Sequence, residues 1–455
     1  MNYQGQQVVV LGAGETGLSC AKWLASHGAR VRVADSRDNP PNLDALRAAL
    51  PGVEILAGAF GTHTFAGCDF AVASPGVPLA TPAIAAAIES GLRVVGDVEL
   101  FAEAIAGTKS KVIAITGANG KTTVTTLVGE MCRTAGLDTV VAGNIGLAVL
   151  DALTGLNGRV PDVFVLELSS FQLETTHTLA ADAAAVLNVT EDHMDRYAGM
   201  ADYAAAKARI FHGAGVQVLN REDEWCRGMV QEGRAAVWFG LDRAPAGQAY
   251  GLIEQHGETW LALDSQPLLA VDDMQLAGLH NAANALAALA LCRAIGLDWA
   301  PLLDTLRSFK GLPHRVEFVE AVNGVAYYDD SKGTNVGATV AALNGLKQKA
   351  VLIAGGDGKG QDFSPLKAAV THACRAVVLI GRDAPLIRAT LADSGVPLLD
   401  AADMDVAVAE SAKLAQPADV VLLSPACASL DMFRNYAHRA EVFIAAVKRL
   451  PGARA

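Results

Sequence analysis

The sequence predicts an α/β protein of three domains, each built around a parallel sheet. Two glycine-rich turns, at residues 12–17 and 117–120, each follow a short apolar run and open a helical pattern. Beyond residue 320, apolar strands and helical segments alternate again, and the strands end in polar loops. Alternation of this kind is typical of parallel sheets covered by helices. The expected domains span residues 1–97, 98–311 and 312–455.

The N-terminal turn, GAGETG, follows a strand at residues 8–11, and a second strand ends on Asp35. This GxGxxG fingerprint predicts a dinucleotide site, or a site for a mononucleotide or a nucleotide-sugar diphosphate, although the glycines would also suit a simple tight turn. Because the segment ends near Gly96, too early for the two halves that a dinucleotide straddles, the smaller ligand fits better. A strand at residues 70–73 stops at Ser74, Pro75 and Gly76, and ligands bind at such strand ends.

The second turn lies in the segment VIAITGANGKTT, residues 112–123. Gly117 and Gly120 allow backbone N–H groups to face an anion, and the helix that begins here favours negative charge at its N-terminus. Lys121 adds a positive charge, and the hydroxyl of Thr122 can coordinate Mg²⁺. The usual spacing GxxxxGK[ST] would place its first glycine at Ile115, so the shorter form TGANGKT carries the signal. The segment therefore predicts a nucleoside triphosphate site.

Composition and charge exclude several classes of protein. The net charge is −12, and Lys and Arg form no cluster of the kind that nucleic-acid binding requires. Seven scattered cysteines form no CxxC pair, which favours reduced thiols. No apolar stretch reaches the length of a membrane span, and the N-terminus lacks the pattern of a signal peptide. We expect a cytoplasmic protein that binds neither membrane nor nucleic acid.

Polar residues interrupt the apolar strands of the central domain. Glu167 lies in the stretch VFVLELSS, where a buried carboxylate would require a cation such as Mg²⁺; a surface position at the strand end is the alternative. A strand at residues 183–189 runs into NVTEDHMDRY, where His193 stands among acidic residues in a loop typical of active sites. Lys207, in the alanine-rich helix that follows, would by itself be an ordinary solvated lysine.

A long helical pattern begins near residue 279, with Asn281 and Asn284 three positions apart on one face. Two amides placed in this way can bind a purine edge or a ribose, or they can serve as a helix cap and surface. Residues 221–270 show short strands and turns without a chemical motif.

The third domain is expected to begin after a linker at residues 311–320. Its strands lead into the loops DDSKGTN, GGDGKGQDF and SPACASLDMF. Three such loops on one edge of a parallel sheet would bring together Lys332, Thr334, Lys359 and Ser429. The repeated lysines predict a pocket for a small dicarboxylate, whereas glycine-rich turns alone would explain only the glycines.

Ten motifs follow one another along the chain: TGANGKTT, GNIG, ELSSFQLE, NVTEDHMDRY, AAKARI, HNAANALAA, LPHRVE, DDSKGTN, GGDGKGQDF and SPACASLDMF. In this order, and over essentially its whole length, the chain resembles the Mur ligase family. The resemblance implies an N-terminal Rossmann-like domain for a UDP-sugar, a central phosphate-loop ATPase-type parallel sheet, and a C-terminal Rossmann-like domain for the amino acid. It also implies an ATP-dependent ligase that adds D-glutamate to UDP-N-acetylmuramoyl-L-alanine through an acyl phosphate. Separately, we expect the protein to be a monomer.

The resemblance further implies site residues for each ligand. For the UDP-substrate these are Glu15, Thr16, Asp35, Ser36, Arg37, Ser74, Pro75, Gly76 and Asn144. For ATP they are Gly117, Asn119, Gly120, Lys121, Thr122, Thr123, Asn281, Asn284, Arg315 and Asp330. For glutamate they are Lys332, Thr334, Lys359, Ser429, Leu430 and Tyr436. For two Mg²⁺ ions they are Thr122 with Glu167, and His193 with a carbamylated Lys207, so that Lys121, Glu167, His193 and Lys207 are the implied catalytic residues.

The sequence departs from the family pattern at two positions, and three other functions are alternatives to the one that the resemblance implies. Tyr436 stands where the family often has Phe, and Gly333 stands where it more commonly has Ala, which leaves fine substrate selectivity open. The alternatives are a ligase for L-glutamate, a folylpolyglutamate-synthetase-like enzyme, which would lack the nucleotide-sugar domain, and an NAD-dependent oxidoreductase. The last would use Asp35 on a ribose and leave Lys121 without a role.

Overall fold

The structure is a computed structural model that describes residues 2–245, 247, 249–276, 278–346 and 348–453. Within these residues the strands form three sheets, and the sheets lie in successive parts of the chain, at residues 7–95, 111–270 and 317–423. Helices pack on each sheet. The predicted α/β class with three domains is therefore confirmed, while the exact domain boundaries stay a prediction.

The first sheet is entirely parallel. Its strands are β1 (Gln7–Leu11), β2 (Arg30–Asp35), β3 (Glu54–Ala57), β4 (Phe70–Ala73) and β5 (Arg93–Val95), in the order β3-β2-β1-β4-β5. Its helices are α1 (Glu15–Ser26), α2 (Leu43–Ala49), α3 (Thr62–Phe65) and α4 (Pro82–Glu89). The glycine turn joins β1 to α1, and a Cβ at Gly17 would lie 1.8 Å from the Gly12 carbonyl oxygen, so only glycine lets α1 begin this close to the strand.

The second sheet is the largest. Its strands are β6 (Lys111–Thr116), β7 (Thr139–Gly143), β8 (Val163–Glu167), β9 (Ala183–Val186), β10 (Val216–Asn220), β11 (Ala236–Phe239), β12 (Ala249–Gln255), β13 (Glu258–Leu263) and β14 (Gln266–Ala270). Their order is β14-β13-β12-β11-β10-β9-β6-β8-β7, and the pairs β12–β13 and β13–β14 are antiparallel. The helices of this part are α5 (Asp97–Ile105), α6 (Lys121–Thr134), α7 (Val149–Gly155), α8 (Ser170–Glu174), α9 (Met200–Ala208), α10 (Glu224–Arg227), α11 (Leu279–Ala294) and α12 (Trp299–Ser308).

The third sheet has one antiparallel edge strand. Its strands are β15 (Glu317–Val322), β16 (Val325–Asp329), β17 (Ala350–Gly355), β18 (Cys374–Ile380), β19 (Leu398–Asp400) and β20 (Val420–Leu423). They are ordered β15-β16-β20-β17-β18-β19, with β15 antiparallel to β16. Its helices are α13 (Val336–Asn344), α14 (Leu366–Ala373), α15 (Ala384–Leu391), α16 (Met404–Leu414) and α17 (Tyr436–Lys448).

Strand order brings the predicted motifs to common edges. In the second sheet, β6 lies between β8 and β9, so the phosphate loop, Glu167 and the loop after β9 share one edge. In the third sheet, β16, β20 and β17 are neighbours, so the loops that begin near residues 329, 424 and 355 meet in the same way. All three loops were expected to form one pocket.

Two details differ from the sequence interpretation, and a third agrees with it. The strand expected to reach residue 189 ends at Val186, because Asn188 uses its side chain to bind the backbone of Asn119 instead. The expected linker at residues 311–320 includes the start of β15, which pairs with β16. Residues 221–270, in which the sequence shows no chemical motif, contain strands β11–β14, which extend the second sheet.

Two expectations about thiols and membranes are tested directly. All seven cysteines are free, and six of them are buried. Among the described helices, none has both the length and the apolar character needed to cross a bilayer.

Candidate active site

The phosphate loop connects β6 to α6 as the sequence predicts, with Lys121 as the first helical residue. The Nζ of Lys121 folds back over the loop and donates hydrogen bonds to the carbonyls of Gly117 at 2.8 Å and Ala118 at 2.9 Å. Gly120 has a φ of 82°, and a Cβ there would lie 2.5 Å from Asn284 Oδ1. The predicted Asn284 of α11 therefore packs directly against the loop, and its Nδ2 donates to Asn281 Oδ1 at 3.2 Å.

Glu167 is the last residue of β8 and lies beside Ile115 of β6. Its Oε1 accepts a hydrogen bond from Asn144 Nδ2 at 2.8 Å, whereas Oε2 is buried without a hydrogen-bond partner within the described residues. A buried carboxylate oxygen without a hydrogen-bond donor is suited to a hard divalent cation. The alternative of a surface carboxylate is wrong, because Glu167 is only 2% exposed.

His193 follows β9 in the acidic loop. Its Nε2 lies 3.6 Å from Asp192 Oδ2, and its ring packs against Phe171 with centroids 4.7 Å apart. Burial lowers the pKa of His193 to about 4, although Asp192 opposes this shift. The imidazole is therefore neutral near pH 7, which is the form that coordinates metals.

Lys207 of α9 is buried, so its interpretation as a solvated lysine is wrong. Its Nζ donates to the Gly117 carbonyl at 2.9 Å and lies 4.3 Å from the centroid of the Tyr203 ring. Lys121 and Lys207 thus share the Gly117 carbonyl. Burial and the charge of Lys121 hold the pKa of Lys207 well below its ordinary range.

The C-terminal domain contributes cations to the same region. The Nζ of Lys332 lies 3.7 Å from the centroid of the Tyr436 ring. Burial, together with the charge of Arg315, lowers the pKa of Lys332 to about 8, and Glu167 opposes that shift. Burial also lowers the pKa of Arg315, against the charges of Asp330 and Glu167. Because Glu167 acts on both cations, the carboxylate of the second sheet and the cations of the third domain lie near one another.

Asp330, predicted to bind ATP, is held within the third domain. Ser424 Oγ donates to its Oδ2 at 2.6 Å, and burial raises its pKa to about 7. A Cβ at Gly333 would lie 2.6 Å from that same oxygen. The departure from the family pattern at Gly333 therefore gives the Asp330 carboxylate room.

The remaining residues predicted for glutamate are spread around this edge. Lys359 forms an ion pair with Asp192 of the central domain. Ser429 is buried and Thr334 is half-buried, whereas Leu430 is 72% exposed. Asn119 of the phosphate loop also contacts the C-terminal domain, because its Oδ1 accepts a hydrogen bond from Asn335 Nδ2 at 3.0 Å.

The residues predicted for the UDP-substrate divide into two groups. Asp35 accepts hydrogen bonds from the backbone N–H of Ala13 at 2.7 Å and from Arg37, which lowers its pKa to about 2. Ser74 donates to the Gly12 carbonyl at 3.3 Å, so the strand-end turn packs on the glycine turn. Glu15, Thr16, Ser36, Pro75 and Gly76 lie on these same segments of the first domain. Asn144 lies apart from them, in contact with Glu167.

Sequence reasoning missed three residues that hold these loops. Arg196, within the motif NVTEDHMDRY, reaches the turn at residues 74–77. The Nδ1 of His314, within LPHRVE, lies 2.6 Å from Asp329 Oδ2. Arg439 of α17 is buried and donates to the Ser331 carbonyl at 2.8 Å. For Arg196 and His314 the sequence did offer a signal, because each is a basic residue inside one of the ten motifs. For Arg439 the only signal was a single arginine in an apolar helical pattern.

Comparison with known proteins agrees with this architecture. Family models match three segments: the Mur ligase MurD-like N-terminal domain at residues 6–96, the Mur ligase middle domain at 115–292, and the Mur ligase glutamate ligase domain at 314–427. Among solved structures, MurF ligase from Thermotoga maritima in complex with ADP has a TM-score of 0.60 at 17% identity, over 98% of this chain and 96% of that chain. MurC from Thermotoga maritima has a TM-score of 0.59 at 19% identity, over 97% and 99%. These two likenesses show the fold.

Two bacterial relatives are similar to the whole chain, and each is named UDP-N-acetylmuramoylalanine–D-glutamate ligase. The protein of Chromobacterium violaceum is 59% identical over 457 residues, which cover 100% of both chains. That of Methylobacillus flagellatus is 60% identical over 450 residues, or 99% of this chain and 98% of the relative. The family models and these full-length relatives indicate an ATP-dependent ligase. At this identity over its full length, the chain belongs to the Mur ligase family, as its motifs predict.

Proposed function

We propose that this protein uses ATP to join D-glutamate to UDP-N-acetylmuramoyl-L-alanine in peptidoglycan precursor synthesis. The names of the full-length relatives support the two substrates. The observation that carries the chemistry is the convergence of Lys121, Glu167 and Arg315, whose charges act on one another across the two domains. Phosphoryl transfer is catalysed mainly by positioning and by cations around the transferred group, which this arrangement would supply.

The reaction would take place in two steps. A carboxylate oxygen of the UDP-substrate attacks the γ-phosphorus of ATP, and ADP leaves. The amine of glutamate then attacks the acyl carbon, the bond to phosphate breaks, and the nitrogen loses a proton. Lys121 would hold the triphosphate, and the oxyanion of the tetrahedral intermediate would need cationic support from the site.

The proposal includes two Mg²⁺ ions. Thr122 and Glu167 would hold one ion, and the unpartnered Oε2 of Glu167 supports this assignment. His193 and a carbamylated Lys207 would hold the other, supported by the neutral imidazole and by the low pKa of the lysine. When bound, Mg²⁺ would neutralise charge on the phosphoryl group.

The remaining assignments follow the motifs. For the UDP-substrate we propose Glu15, Thr16, Asp35, Ser36, Arg37, Ser74, Pro75, Gly76 and Asn144. For ATP we propose the phosphate loop (Gly117, Asn119, Gly120, Lys121, Thr122, Thr123) with Asn281, Asn284, Arg315 and Asp330. For D-glutamate we propose Lys332, Thr334, Lys359, Ser429, Leu430 and Tyr436. The enzyme is proposed to be a cytoplasmic monomer.

A phosphate-release assay with one component omitted at a time tests the function. Phosphate should appear when ATP, UDP-N-acetylmuramoyl-L-alanine and D-glutamate are present together. Replacing D-glutamate with L-glutamate tests handedness, for which the relatives' names are the support. Release that continues at the same rate without the UDP-substrate, or with a folate in its place, would refute the proposal.

A further inference from the structure

Arg196 reaches from the loop after β9 to the N-terminal domain. Its Nη1 donates to the Pro75 carbonyl at 3.2 Å, and its Nη2 donates to the Val77 carbonyl at 3.3 Å. Nη2 also donates to Glu174 Oε2 at 3.1 Å, and the guanidinium lies 4.4 Å from the centroid of the Phe171 ring. The side chain is only 13% exposed. Acceptors at its edge and a ring against its face fix the orientation of this guanidinium.

The turn that Arg196 holds is part of the candidate nucleotide site. Val77 N–H donates to the Ser74 carbonyl at 2.9 Å, which closes the turn. The Ser74 hydroxyl donates to the Gly12 carbonyl at 3.3 Å, and a Cβ at Gly12 would lie 3.0 Å from that hydroxyl oxygen. The turn at residues 74–77 therefore packs directly against the glycine turn.

Arg196 also contacts the loop after β9 that carries His193, which we call the candidate metal loop. The backbone N–H of Arg196 donates to the His193 carbonyl at 2.9 Å. Phe171 contacts both residues, since its ring meets the Arg196 guanidinium and also the His193 imidazole. Tyr197, the next residue, donates to Glu174 Oε1 at 2.6 Å and strengthens the attachment of this loop to α8. Arg196 thus contacts His193 directly, and it reaches the glycine turn through the turn at residues 74–77.

We propose that Arg196 is a positioning residue that sets the distance between the nucleotide site of the first domain and the phosphoryl-transfer site of the second. The inference rests on the proposed function, in which one substrate spans both domains. A UDP-sugar held at the glycine turn must present its carboxylate at the phosphate loop, and displacement by about 1 Å can cost about 100-fold in rate. An ammonium lacks the planar fork that satisfies two carbonyls and a carboxylate together, so lysine would not replace arginine here.

The test compares Arg196→Lys and Arg196→Gln with the control Arg209→Lys. Arg209 is matched to Arg196 because it also binds carbonyls, those of Leu173 and Thr176 at the end of α8, and these contacts lie within the central domain. We expect both Arg196 variants to lower kcat/KM for the UDP-substrate about tenfold or more. The affinity for UDP alone, measured by calorimetry, should be unchanged because UDP needs only the first domain. The control should keep wild-type kcat/KM.

Hydrogen exchange gives a second readout that does not depend on turnover. Release of the Pro75 and Val77 carbonyls should speed amide exchange at Val77 in the Arg196 variants and leave it unchanged in Arg209→Lys. Wild-type kcat/KM in both Arg196 variants would overturn the inference. A loss of both Tm and UDP affinity in the Arg196 variants would also overturn the inference, because Arg196 would then only stabilise the first domain. An inactive wild type would refute the proposed function instead, and exchange at Val77 would then decide whether Arg196 fixes the turn.

Discussion

Lys359 of the C-terminal domain forms an ion pair with Asp192 of the central domain, and the two side chains are 17% and 10% exposed. Although burial opposes the shift, the charge of Lys359 holds the pKa of Asp192 below its ordinary value. Asp192 therefore keeps its charge at neutral pH. Because Asp192 directly precedes His193, docking of the third domain bears on the candidate metal loop.

Asp192→Asn should weaken this docking. The substitution leaves the Lys359 ammonium largely buried without its counter-charge, at a cost of about 3 kcal/mol. We expect a larger radius of gyration by small-angle scattering and a higher KM for glutamate. Lys367→Met removes the exposed pair between Lys367 and Asp393 in the same domain and is the matched control, with wild-type values expected. A radius and a KM equal to those of wild type in Asp192→Asn would show that the pair does not hold the domains together.

Lys121→Ala should abolish turnover and leave binding of the UDP-substrate largely intact. The ammonium would act on the transferring phosphoryl group, whereas the uridine is proposed to bind in another domain. Phosphate release and calorimetric titration with the UDP-substrate measure the two effects separately. Lys109→Ala removes an exposed lysine just before β6 and should have no effect. Near-normal phosphate release in Lys121→Ala would contradict the assignment of the phosphate loop.

The features of the site that could be predicted from the residues are those encoded by neighbouring positions in the chain. Lys121 was placed correctly because a strand, a glycine turn and a helix N-terminus are consecutive, and Glu167 stood out as a carboxylate in an apolar run. The pairing of Asp192 with Lys359 joins residues 167 positions apart, and no local pattern encodes it. Burial of Lys207 was equally hidden, because an alanine-rich helix shows no clear apolar face.

A buried carboxylate outside the site gives a prediction for stability. Asp97 begins α5, its Oδ2 accepts from Gln172 Nε2 at 3.3 Å, and its Oδ1 has no hydrogen-bond partner within the described residues. Burial raises the pKa of Asp97 from 3.8 to about 6. Between these values the unfolded chain has lost the proton that the folded protein retains, so stability falls as pH rises through this window and is level above it.

Asp97→Asn should remove this loss. Relative to wild type, the free energy of unfolding of the variant should increase by up to about 3 kcal/mol as pH rises from about 4 to about 6. Urea denaturation at a series of pH values measures the difference. Asp44→Asn replaces a fully exposed carboxylate and serves as the control. A constant difference for Asp97→Asn would mean that the carboxylate is ionised in the folded protein throughout.

The last prediction concerns the chemical state of Lys207. An ammonium beside a second Mg²⁺ would repel the metal, whereas a carbamate supplies the anionic oxygen that Mg²⁺ prefers. Carbamylation requires the neutral amine, which attacks CO₂, forms an N–C bond and releases a proton. Burial and the nearby Lys121 lower the pKa of Lys207 and thus favour that neutral form at physiological pH. Its position near the Gly117 carbonyl brings the modified group to the base of the phosphate loop.

Lys207→Ala should therefore be folded and lose activity by about 100-fold or more. Acetate or formate can enter the vacated space and provide an oxygen anion, so either should restore part of the activity. The same salts should not restore Lys121→Ala, because that variant lacks a cation, and this contrast separates specific rescue from a general salt effect. Circular dichroism checks the fold of both variants. Full activity of Lys207→Ala without added carboxylate would refute the carbamate, and rescue of both variants alike would remove the evidence for an oxygen ligand at this position.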